Sequence, residues 1–325
     1  MEIPDDRLRS IPRKRRAVSP IQFCMLFYGA IAAMHVAVHF PYNTDPQTAR
    51  VAQDQSALDF YKQAYAPSKA LSKEQQEREQ VYVRVAQEAA EAANIKGLVR
   101  RFVDEYGLRD KRILDIGAGR GYLQDLVENY TGLDISPTAQ RYFHKPFVLA
   151  SATAMPFKDH EFDAVWTIWV LEHVPNPESA LREMRRVVKP GGLILLAPAW
   201  FCTSWAAGGY EVRPYSDFGL HGKLVKASLP IRRSPIFQMS YVIPSRAIRY
   251  VGSKFGSAPT SFHYRRLAPN FEKYWLPDSD AVNSMDPYEA VLWFESRGDH
   301  CLNCPGGLRN LTGTPSWLVI KTQTS

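Results

Sequence analysis

Residues 113–121 read Ile-Leu-Asp-Ile-Gly-Ala-Gly-Arg-Gly, and a second acid, Asp134, follows Asp115 in the run Thr-Gly-Leu-Asp-Ile-Ser. The apolar residues before the glycines predict a strand that is covered on both faces. Glycines at alternate positions let the chain turn sharply and let its backbone approach a ligand closely. An acid that ends the next strand can accept hydrogen bonds from both hydroxyls of a ribose. The stretch therefore predicts a strand, a glycine turn, a helix and a second strand.

The spacing of the glycines distinguishes between two classes of cofactor. A nicotinamide-dinucleotide fingerprint needs G-x-G-x-x-G, and Tyr122 stands where its third glycine belongs. The observed G-x-G-x-G, with Asp115 before it and Asp134 after the second strand, resembles the class I S-adenosylmethionine (SAM)-dependent methyltransferases of the type 11 kind. The resemblance implies SAM as the cofactor. The SAM-binding residues that it implies are Asp115, Gly117, Ala118, Gly119, Gly121, Asp134, Ile135, Ser151, Ala152 and Trp169.

The chain after Asp134 continues the same pattern. Further strands are predicted at 146–150, 162–168 and 193–197. Asn176-Pro177-Glu178 begins a helix with a cap, a proline and an acid, and the helix is expected to stop at Lys-Pro-Gly-Gly, residues 189–192. Residues 151–157 resemble the adenine-contacting loop of the family, although Ser151 stands where the family often has Asp. The resemblance implies an α/β fold, a Rossmann-like doubly wound sheet of seven strands with an antiparallel last strand.

The resemblance covers residues 95–198 closely and the C-terminal end more loosely, where a helix at 286–297 and strands near 301–304 and 317–321 are predicted. The predicted organisation is a basic tail at 1–20, a membrane segment at 21–40, a linker and lead helices at 41–94, and a methyltransferase domain at 95–325 with an insertion at about 199–285.

Residues 21–40 contain no Asp, Glu, Lys or Arg and follow the basic run 13–16. Twenty apolar residues in a helix match the thickness of the hydrocarbon core, which predicts a transmembrane or membrane-anchor helix. A buried N-terminal helix and a cleaved signal peptide are the alternatives. His35 and His39 lie on one helical face, and we interpret them as polar groups near the interface, not as metal ligands. The predicted location is a membrane, with the cytoplasmic face favoured because SAM is made there.

The net charge of +7 is concentrated in two segments, the N-terminal tail and the insertion. Residues 199–275 hold eleven Lys or Arg against three acids, interleaved with aromatic residues. One interpretation is a site for a small-molecule or lipid-like acceptor that could carry an anionic group, with Arg232, Arg233, Arg265 and Arg266 binding that group. The alternative is a solvated basic face over a small helical cap. Nucleic acid is not expected as a partner, because no binding module is recognisable.

Transfer of a methyl group from a sulfonium leaves a neutral thioether, so the protein must mainly align the acceptor and exclude water. His173, which follows the fourth strand, is the candidate base, and Glu172 could orient it. Both could instead be purely structural. Weaker candidates in the insertion half are His221, Trp275 and Asp280. No metal is expected, and Cys301 and Cys304 are predicted to be partly buried thiols.

The predicted function is SAM-dependent methyl transfer to a small or lipid-like acceptor. A non-catalytic interaction module of the same fold is the first alternative, and a nucleotide-dependent oxidoreductase is the second. The residues do not indicate which acceptor is used or which of its atoms is methylated.

Overall fold

The computed structural model describes residues 19–39, 48–66, 72–256, 259–273 and 275–323. The chain divides into two compact units, residues 1–41 and 42–325. In the first unit, helix α1 spans Pro20–His39, and its apolar side chains from Ile21 to Tyr28 are largely exposed.

A membrane segment at 21–40 is not supported by the structure. Among the helices whose residues are described, none combines the length and apolar content that crossing a bilayer requires. The basic run 13–16 and Phe40 lie outside the described residues.

The second unit is built on a seven-stranded sheet with the order β3-β2-β1-β4-β5-β9-β8. Its strands are β1 (Arg112–Ile116), β2 (Asn129–Asp134), β3 (Phe147–Leu149), β4 (Phe162–Ile168), β5 (Val188–Ala197), β8 (His300–Cys301) and β9 (Leu318–Lys321). The first five are parallel, and β9 pairs antiparallel with β5 and with β8. This arrangement confirms the predicted Rossmann-like α/β fold.

Apolar side chains on both faces of the central strands create two core layers. On one face, Phe102 and Val99 of helix α4 (Ile95–Glu105) pack with Ile113 of β1. On the other face, helices α5 (Pro177–Val187) and α9 (Pro287–Glu295) pack with strand residues such as Leu114. The sheet is thereby held with the carboxyl ends of its parallel strands at one edge, where ligands bind in such folds.

Two local predictions are wrong. The chain after the glycine turn forms only a 3-10 turn at Gln124–Leu126 and not the α-helix that was predicted. Strand β5 begins at Val188, directly after α5, and Val188 pairs with Phe162, so the Lys-Pro-Gly-Gly run at 189–192 lies within an irregular strand and not before it.

Within the predicted linker, residues 48–66 are more ordered than the sequence suggested. They contain helix α2 (Thr48–Ala64), which packs on helix α3 (Lys73–Ala92). The hydroxyl of Ser136 donates to the carbonyl of Tyr61 at 3.0 Å, and that of Thr138 donates to the carbonyl of Lys62 at 2.9 Å. These bonds attach the end of α2 to the chain that follows β2.

The insertion after β5 is largely helical. Its elements are α6 (Ser204–Ala207), α7 (Leu220–Arg232), α8 (Pro235–Phe255) and the antiparallel pair β6 (Tyr264–Arg266) and β7 (Asn283–Met285); α10 (Asn310–Gly313) follows later. Two of its arginines bind acids of this chain. Arg246 contacts Asp286 at 2.7 Å and Arg249 contacts Glu289 at 2.8 Å, so these cations fasten α8 to the start of α9.

Cys301 and Cys304 form a disulfide bond with a Cα–Cα distance of 5.5 Å. The prediction of two free thiols is therefore wrong. The spacing C-x-x-C alone could not distinguish the two states.

Candidate active site

A cavity of about 550 Å³ lies at the carboxyl ends of β1, β2 and β4. The predicted residues that line it are Gly117, Asp134, Ile135, Ser151, Ala152, Trp169 and His173. The opposite wall was not predicted and comes from α2 and α3, through Gln55, Leu58, Tyr61, Tyr65 and Tyr82. The volume falls in the range of small-molecule sites, and the mixed wall combines apolar rings with a few polar groups.

The glycine turn approaches the cavity in a backbone conformation that other residues rarely adopt. Gly117 has φ +73°, and a Cβ placed there would lie 2.2 Å from Cγ2 of Val170. Gly119 and Gly121 also have positive φ. The backbone N–H of Gly119 donates to Oδ2 of Asp134 at 2.8 Å, so the turn and the end of β2 are joined directly.

Asp134 is the acid on which the cavity is centred. Its Oδ1 accepts from the N–H of Ser136 at 2.8 Å, and burial raises its pKa while the backbone hydrogen bonds from Ser136 and Gly119 oppose that rise. Each carboxylate oxygen keeps a lone pair beyond the one already used. The carboxylate therefore fits a pair of vicinal hydroxyls, and Gly117 lines the cavity beside it. The residues present thus fit SAM.

Asp115 lies beneath the turn and is not one of the residues that line the cavity. It is 4% exposed, and the hydroxyl of Tyr130 donates to its Oδ2 at 2.7 Å. Burial raises the pKa of Asp115 to about 7, against the opposing effect of the Tyr130 hydrogen bond. Ala118, Gly119 and Gly121 are likewise outside the lining, so Gly119 contributes through its backbone N–H.

Two loop residues, Ser151 and Trp169, form part of the cavity wall. The hydroxyl of Ser151 lies 2.8 Å from that of Thr153 and accepts from the Thr153 N–H at 3.2 Å. Trp169 has φ +54°, and its backbone N–H donates to the carbonyl of Ala197 at 3.0 Å. The strained backbone at Trp169 is thereby held by β5.

A buried acidic cluster surrounds His173. Its Nε2 lies 3.7 Å from Oε1 of Glu172, and its Nδ1 lies 3.5 Å from Oδ2 of Asp280. Asp278 also belongs to the cluster, because one ligand atom from each of Glu172, His173 and Asp278 lies within 4.8 Å of the others. Burial raises the pKa of Glu172 to about 7, and burial raises that of Asp278 as well. Asp280, Glu172 and Asp278 together raise the pKa of His173 above its usual value, against desolvation.

Two segments that are far apart in sequence meet in this cluster. The N–H of Val282 donates to the carbonyl of Glu172 at 2.9 Å, and the Asn283 amide donates to the carbonyl of Val174. The hydroxyl of Tyr61 donates to Oδ2 of Asp280 at 2.6 Å, so α2 also reaches the cluster. Asp278 was not predicted, and its φ of +64° on a non-glycine residue has no signal in the sequence.

The other candidates of the insertion are placed away from the cavity lining. His221 is exposed, the guanidinium of Arg213 lies 5.1 Å from the ring centre of Trp275, and Arg233 contacts Glu211 at 3.0 Å. Arg232 is buried over the ring of Trp205, and Arg265 and Arg266 belong to β6.

The middle of the chain, residues 114–196, matches the family model described as a methyltransferase domain. This stretch is a methyltransferase domain. A ubiquinone biosynthesis O-methyltransferase of Pseudomonas aeruginosa is 34% identical over 122 residues, which are 32% of this chain and 51% of that protein. An uncharacterized methyltransferase of Mycobacterium tuberculosis is 36% identical over 115 residues, 31% of this chain and 44% of that one.

Among solved structures, a SAM-dependent methyltransferase of Aquifex aeolicus matches with a TM-score of 0.28 and 18% identity, over 32% of this chain and 64% of that one. The chain spans about half the length of the curated relatives that it matches. The matched stretch runs from β1 to near the carboxyl end of β5 and contains the glycine turn, Asp134, Glu172 and His173. The predicted cofactor, SAM, is confirmed for this domain.

Proposed function

We propose that the chain transfers the methyl group of SAM to an acceptor that binds beside His173. The observation that carries the proposal is the 2.8 Å hydrogen bond between the Gly119 N–H and Asp134, at the wall of a cavity that His173 also lines. A glycine turn fastened to an acid at the end of the next strand is suited to a ribose and to a ligand group against the backbone.

When bound, SAM supplies a methyl group on a sulfonium, which leaves as a neutral thioether. The residues of this chain bind and align it. Asp134 is available to the ribose hydroxyls, and the rings of Tyr61 and Tyr65 cover the cavity and exclude water from it. Because the leaving group needs no acid, the only proton that the chain must handle is the one on the acceptor.

The cluster around His173 is suited to that proton. The ring of His173 borders the cavity, whereas Glu172 is fully buried behind it. We therefore assign His173 to the acceptor side and Glu172 to its support. In this assignment Asp280, which accepts a hydrogen bond from Tyr61, lies 3.5 Å from Nδ1 of the imidazole and contributes negative charge beside it.

The acceptor that we propose is a small molecule with an apolar body, reached from an anionic lipid surface. The relative from Pseudomonas aeruginosa is a ubiquinone biosynthesis enzyme by name, which suits an apolar acceptor. Residues 218–271 contain no Asp or Glu. Helices α7 and α8 in this stretch expose apolar side chains, of which the most exposed are Leu220, Leu224, Ile236, Ile248 and Phe255. Exposed apolar groups without any acid suit an anionic lipid surface.

Calorimetric titration of the full-length chain is expected to show one SAM site and no site for NAD. With methyl-labelled SAM and a panel of apolar hydroxyl and amine acceptors, His173→Ala should lower the rate of transfer by about 10²–10⁴-fold, the usual loss when a positioned acid–base group is removed. Its SAM affinity should match that of the unsubstituted chain.

His144→Ala is the matched control, since this exposed histidine pairs with Asp125 outside the cavity. Tighter binding of NAD than of SAM would revive the oxidoreductase alternative. SAM binding without transfer to any acceptor of the panel would favour the non-catalytic module.

The lipid surface is tested by sedimentation with vesicles of phosphatidylcholine and phosphatidylserine. The double variant Leu224→Glu, Ile248→Glu should bind these vesicles at least about tenfold more weakly, because it removes two exposed apolar groups and adds two negative charges. Val212→Glu adds an acid at an exposed apolar position outside α7 and α8 and should retain most of the binding. Equal sedimentation of the chain with neutral vesicles, or none with either, would contradict this part of the proposal.

A further inference from the structure

We propose that Glu172, His173 and Asp278 bind a divalent transition-metal cation at the edge of the cavity. The ligand atoms of the three residues lie within 4.8 Å of one another. Atoms that each stand about 2.1 Å from one ion are about 3–4 Å apart, so the three groups are nearly in place. Two carboxylates and one imidazole are a mixed oxygen and nitrogen set, which suits Mn²⁺ or Zn²⁺.

The state of Glu172 points to a ligand independently of the clustering. Its side chain is 0% exposed, and neither Oε1 nor Oε2 has a hydrogen-bond partner among the described residues. A buried carboxylate without hydrogen bonds is costly. Asp280 is also fully buried, and its Oδ1 likewise has no hydrogen-bond partner among the described residues. The region thus holds several buried acceptor atoms and few donors.

The charges of the cluster agree with a cation. Glu172, Asp278 and Asp280 bring three carboxylates to one imidazole, and the nearest imidazole–carboxylate distances are 3.5 and 3.7 Å. Those distances are too long for hydrogen bonds. A divalent ion with two carboxylate ligands and a neutral imidazole removes most of the repulsion. Asp280, beside Nδ1 of His173, then acts as the outer partner that orients the ligand ring.

The ion would lie next to the acceptor, because His173 lines the cavity. This role rests on the proposed function, whereas binding of the ion does not. With the ion bound, His173 would hold the ion and would not take the proton itself; an acceptor hydroxyl on the ion would ionise more readily and release its proton to water. Its oxygen then forms the bond to the methyl carbon as the carbon–sulfur bond breaks, and the sulfur keeps the electron pair.

The test is a titration of the chelator-treated, full-length chain with MnCl₂, followed by calorimetry and by electron paramagnetic resonance of free Mn²⁺. We expect one Mn²⁺ per chain, displaced by Zn²⁺. Asp278→Asn should weaken binding by at least about tenfold, the lower end of what even an outer partner costs. Asp278 is the ligand of choice for substitution because it is partly exposed and its loss leaves the buried core intact.

Asp217→Asn is the matched control, because Asp217 is an acid of the same insertion that pairs with Arg213 outside the cluster. It should bind Mn²⁺ like the unsubstituted chain. Absence of stoichiometric Mn²⁺ binding, or equal binding by Asp278→Asn, would overturn the proposal and leave protons as the neutralising charge. SAM titration of the same samples separates the cation site from the proposed function. A chain that binds SAM but does not bind Mn²⁺ would refute only the cation site.

Discussion

Gly117→Ala is expected to be among the most damaging single substitutions in this chain. An alanine at φ +73° costs about 1–2 kcal/mol in backbone energy. Its Cβ would also lie 2.2 Å from Cγ2, 2.6 Å from Cγ1 and 3.0 Å from Cβ of Val170, so rotation of that side chain cannot relieve the overlap. Overpacking of this kind costs about 1–3 kcal/mol more. Thermal unfolding should therefore show a loss of about 2–5 kcal/mol, with SAM binding strongly weakened.

Gly107→Ala separates the two contributions. Gly107 has φ +61°, and a Cβ there would meet nothing within 4 Å. The control should lose only the backbone part, about 1–2 kcal/mol, and should bind SAM normally. Equal losses in the two variants would show that Val170 moves aside and that the turn tolerates a side chain.

Asp134→Ala is expected to weaken SAM binding by about 10- to 100-fold. The variant removes the acceptor of the ribose hydroxyls, and a lost buried hydrogen-bond partner costs about 1–3 kcal/mol. It also frees the N–H groups of Gly119 and Ser136, which now donate to Asp134 at 2.8 Å. Calorimetry with SAM and with its demethylated product measures the loss.

Asp134→Asn and Asp110→Ala are the controls for that loss. The asparagine keeps one acceptor oxygen and should retain part of the affinity. Asp110 is an exposed acid that pairs with Lys111 before β1, and its replacement should leave SAM binding unchanged. Full affinity in Asp134→Ala would contradict the assignment of this carboxylate to the ribose.

Local sequence was sufficient for the sheet and for one half of the cavity. Residues 113–121 and Asp134 are close in the chain, and the parallel pairing of β1 with β2 brings them together without help from distant segments. The apolar runs of β4 and β5 similarly report burial on both faces. For this reason the parallel strands and the cofactor side of the site were predictable, while the architecture of the whole sheet came from the family resemblance.

The acceptor half depends on contacts between distant segments. Asp278 reaches Glu172 only because the loop before β7 hydrogen-bonds to the residues after β4. Helix α2 is polar and barely amphipathic, so its pattern resembled a linker, and it is positioned by hydroxyl groups that bind its carbonyls. The signal that the sequence offered for this wall was a pair of aromatic residues, Tyr61 on α2 and Tyr65 directly after it. The positive charge of the insertion was also a poor guide to an acceptor site, because two of its cations, Arg246 and Arg249, bind acids within the chain.

The end of α2 lines one wall of the cavity, and its attachments indicate how firmly that wall is held. Hydrogen bonds near the cavity run from Tyr61 to Asp280 and from Ser136 and Thr138 to the last turn of α2. At about 0.5–1.5 kcal/mol each, these three contribute a few kcal/mol, in addition to the packing of α2 on α3. The central strands, by contrast, are covered by apolar side chains on both faces. We therefore expect the backbone amides of α2 to exchange with deuterium faster than those of the central strands.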